Sequence, residues 1–232
     1  SREGFPDERP LSPVRIDKPF YMGTVEVTCE QFARFDPDHF NGFHDQRHKD
    51  HTRPGYDAHG PNRPAIRVSW REAMAFCQWL SEKTGHQCTL PTEAQWEYAA
   101  RGGLSGHRFP WGDTITHSQA NYYSRSDYPY DVSPTRGFHP GWDDGIRPLT
   151  SPVGSFPPDG CGLYDMAGNV WEWCNDWYRN DYYDRSPDND PTGPWEGSDR
   201  VLRGGGWYTA PSTCRVASRY YGCLLYTSPS PR

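Results

Sequence analysis

Two helix-starting signals stand 23 residues apart in this chain, and they confine its long helices to one stretch. Ser69 is followed three residues on by Glu72, and Thr92 by Gln95. Each pair can satisfy the exposed N–H groups of a first helical turn reciprocally. Behind Ser69, the residues Ala73, Phe76, Cys77 and Leu80 fall at helical spacing, and Gly85 closes the run. Behind Thr92, the residues Trp96, Ala99 and Ala100 form one inner face, and Gly102 and Gly103 end it. From residue 103 onward no comparable pattern appears. Turn signals such as Pro157-Pro158-Asp159-Gly160 and Gly204-Gly205-Gly206 alternate with short strand candidates at 170–174 and 200–203. Upstream, residues 14–28 are β-rich and break near Gly23, which predicts a strand pair. Residues 27–36 predict a short helix carrying Phe32 and Phe35, and the polar stretch 37–64, with five histidines, predicts a long surface insertion. No internal repeat or linker divides the chain. The reading is one α+β domain of two helices, short sheets and long irregular loops.

Composition decides whether so irregular a chain packs at all. It holds 23 Gly and 23 Pro, yet aromatics reach 15%, with ten Trp and fifteen Tyr. Low-complexity disorder has the first property without the second. A net charge of −6 with mixed signs leaves no basic stripe for nucleic acid. No run approaches the ~18 apolar residues of a membrane span. Acidic side chains near Gly-rich loops suit calcium. A monomer is expected. The first ten residues, SREGFPDERP, contain no apolar signal region and leave the compartment unassigned. The last ten, CLLYTSPSPR, match an in-frame translation of a transposase sequencing adapter. We therefore expect one domain over 1–222 and a foreign tail over 223–232. The remaining cysteines, Cys29, Cys77, Cys88, Cys161, Cys174 and Cys214, show no C-x-x-C spacing, which argues against a zinc ribbon.

Five blocks then occur in order: PAIRVSWREAMAFCQWLSEKTG, LPTEAQWEYAARGG, FPWGD, SPVGSFPPDGCGLYDMAGNVWEW and RGGGWYTAPSTCRVASR. Together they resemble the formylglycine-generating enzyme family, also called sulfatase-modifying factors, from about Phe20 to Arg219. The resemblance implies a variant of the C-type-lectin-like fold. In the best-known members, two cysteines five residues apart hold a copper ion and oxidise a cysteine of an unfolded sulfatase. The matching positions here are Thr209 and Cys214, and the Ser of the preceding turn has become Gly206. A threonine hydroxyl does not replace a soft thiolate for Cu(I), so copper is not expected.

The resemblance also assigns site residues. Cys214 is a catalytic thiol, a plain buried thiol, or half of a disulfide or close pair with Cys174. Trp171 matches an aromatic near the family's reaction cleft, against the alternative of a core tryptophan. Asp165, Gly168, Val170 and Glu172 match a calcium loop, in which backbone alternation from 168 to 172 aims successive oxygens one way. Asn121, Tyr122, Asp144 and Ile146 match a second calcium site. His44, His48 and His51 could ligate a transition metal if helical, but Asn41, Gly42 and Pro54 favour a solvated loop. Two functions follow: a divergent oxidoreductase acting on a protein or peptide thiol, or a non-catalytic, calcium-stabilised binding module with a cleft near Trp171 and Trp207.

Overall fold

The computed structural model describes residues 4–41, 43–44, 56–57, 60–143 and 149–223, with the backbone alone at 43–44 and 56–57. Both predicted helices form where their caps place them. Helix α2 (Trp70–Thr84) starts with the Ser69/Glu72 box and ends at Gly85, whose φ of 72° is one that glycine tolerates. Helix α3 (Glu93–Ala100) starts with the Thr92/Gln95 box. The predicted short helix is α1 (Cys29–Ala33), also opened by a capping box, Thr28/Gln31.

Strands β1 (Phe43–His44) and β2 (Tyr56–Asp57) pair as a small hairpin. Strands β3 (Glu172–Trp177), β4 (Asp199–Arg203) and β5 (Tyr220–Cys223) form an antiparallel sheet in that order. Glu172 lies opposite Arg203 and Leu202 opposite Tyr220, and the β3–β4 register shifts between Trp173 and Trp177.

Three expectations are corrected. Residues 14–28 do not pair with one another. Among the described residues they bridge instead from Arg15 to Asn189 and from Thr28 to Pro64, so distant chain satisfies part of their extended backbone. Strand β3 begins at Glu172 rather than 170, because Asn169 adopts a φ of 57° and its backbone bonds elsewhere. The insertion is not wholly superficial either. Asn41 is fully buried, and its carboxamide donates to the Pro64 carbonyl (3.0 Å) and accepts from Ile66 N–H (2.9 Å). His44 lies in β1 by its backbone, not in a helix, while His48 and His51 lie outside the described residues.

The core is three aromatic-rich clusters. Phe32, Phe76, Leu90, Trp171, Trp173 and Leu202 belong to the first; Trp96, Cys174, Val201 and Val216 to the second; Phe109, Ile115, Tyr122, Ala167 and Cys214 to the third. Successive residues of a strand face opposite ways, so β3 sends Trp173 into the first cluster and Cys174 into the second. Buried indoles need acceptors. Trp173 donates to Val68 O (2.9 Å), Trp70 to Cys174 O (3.0 Å) and Trp96 to Glu172 Oε2 (2.7 Å).

Asp176 of β3 joins the sheet to α3. Its Oδ2 accepts from Glu93 N–H at 2.9 Å, at the first turn of that helix. Burial, then the Glu93 carboxylate, push its pKa up to about 8. An unfolded aspartate ionises near ~3.9. Between these values the folded state holds the extra proton, so this group's contribution to stability falls as pH rises from ~4 to ~8 and is level above. Asp176→Asn keeps the acceptor and removes the titration. Chemical denaturation should show the Asn variant gaining on the parent protein across that window. A difference independent of pH would contradict the assignment.

Candidate functional site

The segment Arg203–Arg219 carries the candidate chemistry, and its ends are fixed by one side chain. Arg203 leaves β4 completely buried, and Arg219 is buried just before β5. Both reach Glu93 on α3: Arg203 Nη1 at 3.2 Å from Oε1, and Arg219 Nε and Nη2 at 2.7 and 2.9 Å from Oε1 and Oε2. Arg203 Nη2 also donates to Glu97 Oε2 and to the Val216 carbonyl, each at 2.6 Å. A third arginine, Arg215, forks onto Glu8 at 2.8 and 2.5 Å. Two-pronged pairs of this kind fix geometry as well as charge. Glu93 was not foreseen as part of the site. An acid in the first helical turn suits the helix dipole whether exposed or buried, so the sequence does not separate the two.

Between these anchors the chain turns at Gly204–Gly206. A side-chain carbon on Gly205, where φ is 81°, would lie 3.0 Å from Cys214 Sγ, so glycine lets the turn press against the thiol. Thr209 closes the turn. Its hydroxyl accepts from Gly206 N–H (2.9 Å) and from the Thr213 hydroxyl (2.7 Å), and donates to Gly206 O (2.9 Å). Cys214 ends a short 3₁₀ turn, Pro211–Cys214, that starts with a proline.

Thr209 and Cys214 are therefore brought together. Burial pushes the Cys214 thiol up to about 12, against smaller stabilisation of a thiolate by the Thr213 and Thr209 hydroxyls. A fully buried thiol held in that form is unreactive at neutral pH. Pairing with Cys174, one of the three readings of Cys214, is not seen. Both cysteines are free, and they pack in separate clusters, Cys174 behind β3 and Cys214 beside Phe109 and Ile115.

Trp171 is 5% exposed and belongs to the first core cluster, and Trp207 is 6% exposed. Of the two readings of Trp171, this is the core tryptophan, and Trp207 is as deeply buried. The accessible aromatics are the neighbours that cover them. Tyr220 (50% exposed) stacks on Trp171 at 4.9 Å, and Tyr208 (43% exposed) packs edge-on to Trp207 at 5.2 Å. Gly206 separates them, since a side-chain carbon there would touch Tyr208 and Trp171 at 3.4 and 3.5 Å.

The residues matching calcium site one surround the turn into β3. Glu172 is fully buried and Asp165 nearly so; Asp165 takes a φ of 57° and accepts from Gly154 N–H at 2.6 Å. A side-chain carbon at Gly204 would sit 3.7 Å from Val170 O and 3.8 Å from Glu172 Oε1. Those two oxygens thus face one corner that glycine leaves open. Asn169, between Gly168 and Val170, holds the turn: it donates to Glu26 Oε2 (2.7 Å), accepts from Ser151 N–H (2.8 Å) and takes Trp207 N–H on its carbonyl (2.8 Å). Of site two, Asn121 and Tyr122 are buried, with Asn121 O accepting from Asn169 N–H (2.7 Å) and Tyr122 O facing His117 Nε2 (3.1 Å). Asp144 and Ile146 lie outside the described residues. No group of three His, Cys, Asp or Glu side chains among the described residues is arranged to hold a metal.

A family model for the sulfatase-modifying factor enzyme 1-like domain matches residues 1–222. The chain belongs to that family. It is 43% identical over 162 residues to a formylglycine-generating enzyme of Streptomyces coelicolor, a match covering 68% of this chain and 48% of the relative. It is 38% identical over 145 residues to the inactive C-alpha-formylglycine-generating enzyme 2 of Bos taurus, covering 62% and 38%. The structure of PvdO from Pseudomonas aeruginosa superposes with a TM-score of 0.75 at 27% identity, over 98% of this chain and 83% of that one. The sulfatase-modifying-factor domain thus has the α+β, C-type-lectin-like architecture of its family. The chain spans about half the length of the Streptomyces relative or less for the bovine one.

Proposed function

We propose that this sulfatase-modifying-factor domain is a calcium-braced, non-catalytic binding module for an extended protein or peptide segment. The observation that carries the reading is the environment of Cys214. The side chains that reach its sulfur are the hydroxyls of Thr209 and Thr213, where a two-thiolate centre needs a second cysteine. That donor set does not fit Cu(I), which prefers soft thiolates, so no copper step is derived. The bovine relative called inactive is similar to this chain over 145 residues, and its name accords with the reading. The ligand surface is Tyr208 and Tyr220, held over Trp207 and Trp171. A thiol-directed oxidoreductase is the competing function.

The test uses an extended peptide bearing a sulfatase-type cysteine. After incubation with copper, reductant and oxygen, mass spectrometry should find the cysteine unchanged, while Thr209→Cys should raise Cu(I) affinity. The peptide should still bind by fluorescence anisotropy. Tyr208→Ala or Tyr220→Ala should weaken it about five- to tenfold, equivalent to ~1–1.4 kcal/mol for an aromatic contact. Formylglycine made by the unaltered chain would overturn the reading, as would the absence of peptide binding.

Calcium fits the residues of site one. Ca²⁺ favours six to eight oxygens and accepts backbone carbonyls. Asp165 and Glu172, with the carbonyls of Gly168 and Val170, would supply them, and the bound ion would offset two buried carboxylates at the start of β3. Chelation should lower Tm by roughly 5–10 °C from a state at a hundredfold excess over Kd. Glu172→Ala should lose most of that response. A melting curve unchanged by exhaustive chelation would remove calcium from the account.

A further inference from the structure

Helix α2 and the segment after it carry a pair of thiols, Cys77 and Cys88, that neither the candidate site nor the calcium loop uses. Cys77 and Ser81 are one helical turn apart and share a face. After Gly85 the chain reverses and lays residues 86–90 back over that face. The Ser81 hydroxyl donates to Cys77 O at 2.8 Å, while Cys88 N–H donates to the same hydroxyl at 2.8 Å. One side chain thus links the backbones of both cysteines, two hydrogen-bond lengths apart. Cys77 is buried in the first core cluster, and Cys88 is partly exposed with its sulfur 3.7 Å from His86 O. Burial, and after it the Cys88 group, push the Cys77 thiol up to about 12. Both are reduced in this structure.

We propose that Cys77 and Cys88 form a redox-controlled disulfide that staples the end of α2 to the segment leading into α3. The co-reactant is a small-molecule disulfide. The accessible Cys88 thiolate attacks one of its sulfurs, which makes a mixed disulfide and expels one thiolate. Cys77, on losing its proton to solvent, attacks the Cys88 sulfur, forms the Cys77–Cys88 bond and expels the second thiolate. The protein loses two protons and two electrons, and the reagent gains the electrons as two thiols. Among the described residues no comparable contact places a cysteine beside the exposed Cys161 or Cys223, so these should stop at mixed disulfides. The closed loop is short and spans the turn at Gly85, so the staple restrains the unfolded chain there.

The experiment equilibrates the whole protein with reduced and oxidised glutathione at several ratios, quenches with acid, alkylates and digests. Peptide mass spectrometry should find a Cys77–Cys88 cross-link that appears as the ratio becomes oxidising, with Tm rising by several degrees. The closure rate should increase with pH, because the buried thiol must ionise. Cys88→Ser, a change at a partly exposed position, should fold, lose the cross-link and show no redox-dependent Tm. Cys88 recovered only as a glutathione adduct with Cys77 still reduced would overturn the proposal. So would a cross-link from either residue to a different cysteine.

Discussion

One carboxylate governs the geometry of the candidate site. Glu93, the first residue of α3, takes a bidentate contact from Arg219 and a further bond from Arg203, all out of water. These arginines bracket the segment that contains Gly204–Gly206, Thr209 and Cys214. A helix terminus, two strands and an irregular loop are thereby referred to a single point. Buried ion pairs do not reliably add net stability, but removing one partner strands the others and costs about 3–5 kcal/mol. The cluster therefore acts mainly as a specifier of where the loop must lie. Asp176 adds to the same point through the Glu93 N–H, which connects the β3-to-α3 contact to the clamp.

Within that clamp, Thr209 and Cys214 set the character of the loop. Thr209 does what a hydroxyl does well: it closes a four-residue turn by accepting one backbone N–H and donating to one carbonyl. The same hydroxyl denies Cys214 a thiolate partner. Burial acts on Cys214 as well, since a thiol so far from ionisation packs like a small apolar side chain. The turn into β3 adjoins the same loop at Gly204. Val170 O and Glu172 Oε1 face that glycine, and Asn169 ties the turn to Glu26, Ser151 and Trp207.

Local rules made much of this legible in the sequence. The capping boxes at Ser69 and Thr92 name their own partners three residues away, and Gly85 announces its left-handed conformation. The Thr209 substitution was likewise visible as a missing thiol. What was not legible depends on distant partners. Residues 14–28 have strand character, but their partners are Asn189 and Pro64 rather than each other. Which role Cys214 takes depends on packing: strand alternation sends Cys174 to one side of β3, while Cys214 lies beside Phe109. Trp171 reads as either a cleft or a core tryptophan by its motif, and only the packing of Tyr220 over it shows which. Glu93 looks like an ordinary first-turn acid until Arg203 and Arg219 arrive from more than a hundred residues away.

Amide hydrogen exchange on Glu93→Gln tests the clamp most directly. The substitution keeps the side chain's size and removes the charge that holds both arginines. Buried cooperative units lose protection together when their anchor is weakened. The amides from Gly204 to Ser218 should therefore exchange faster as one group, with those of α2 unchanged. Faster exchange confined to α3, with the loop as protected as before, would contradict the clamp.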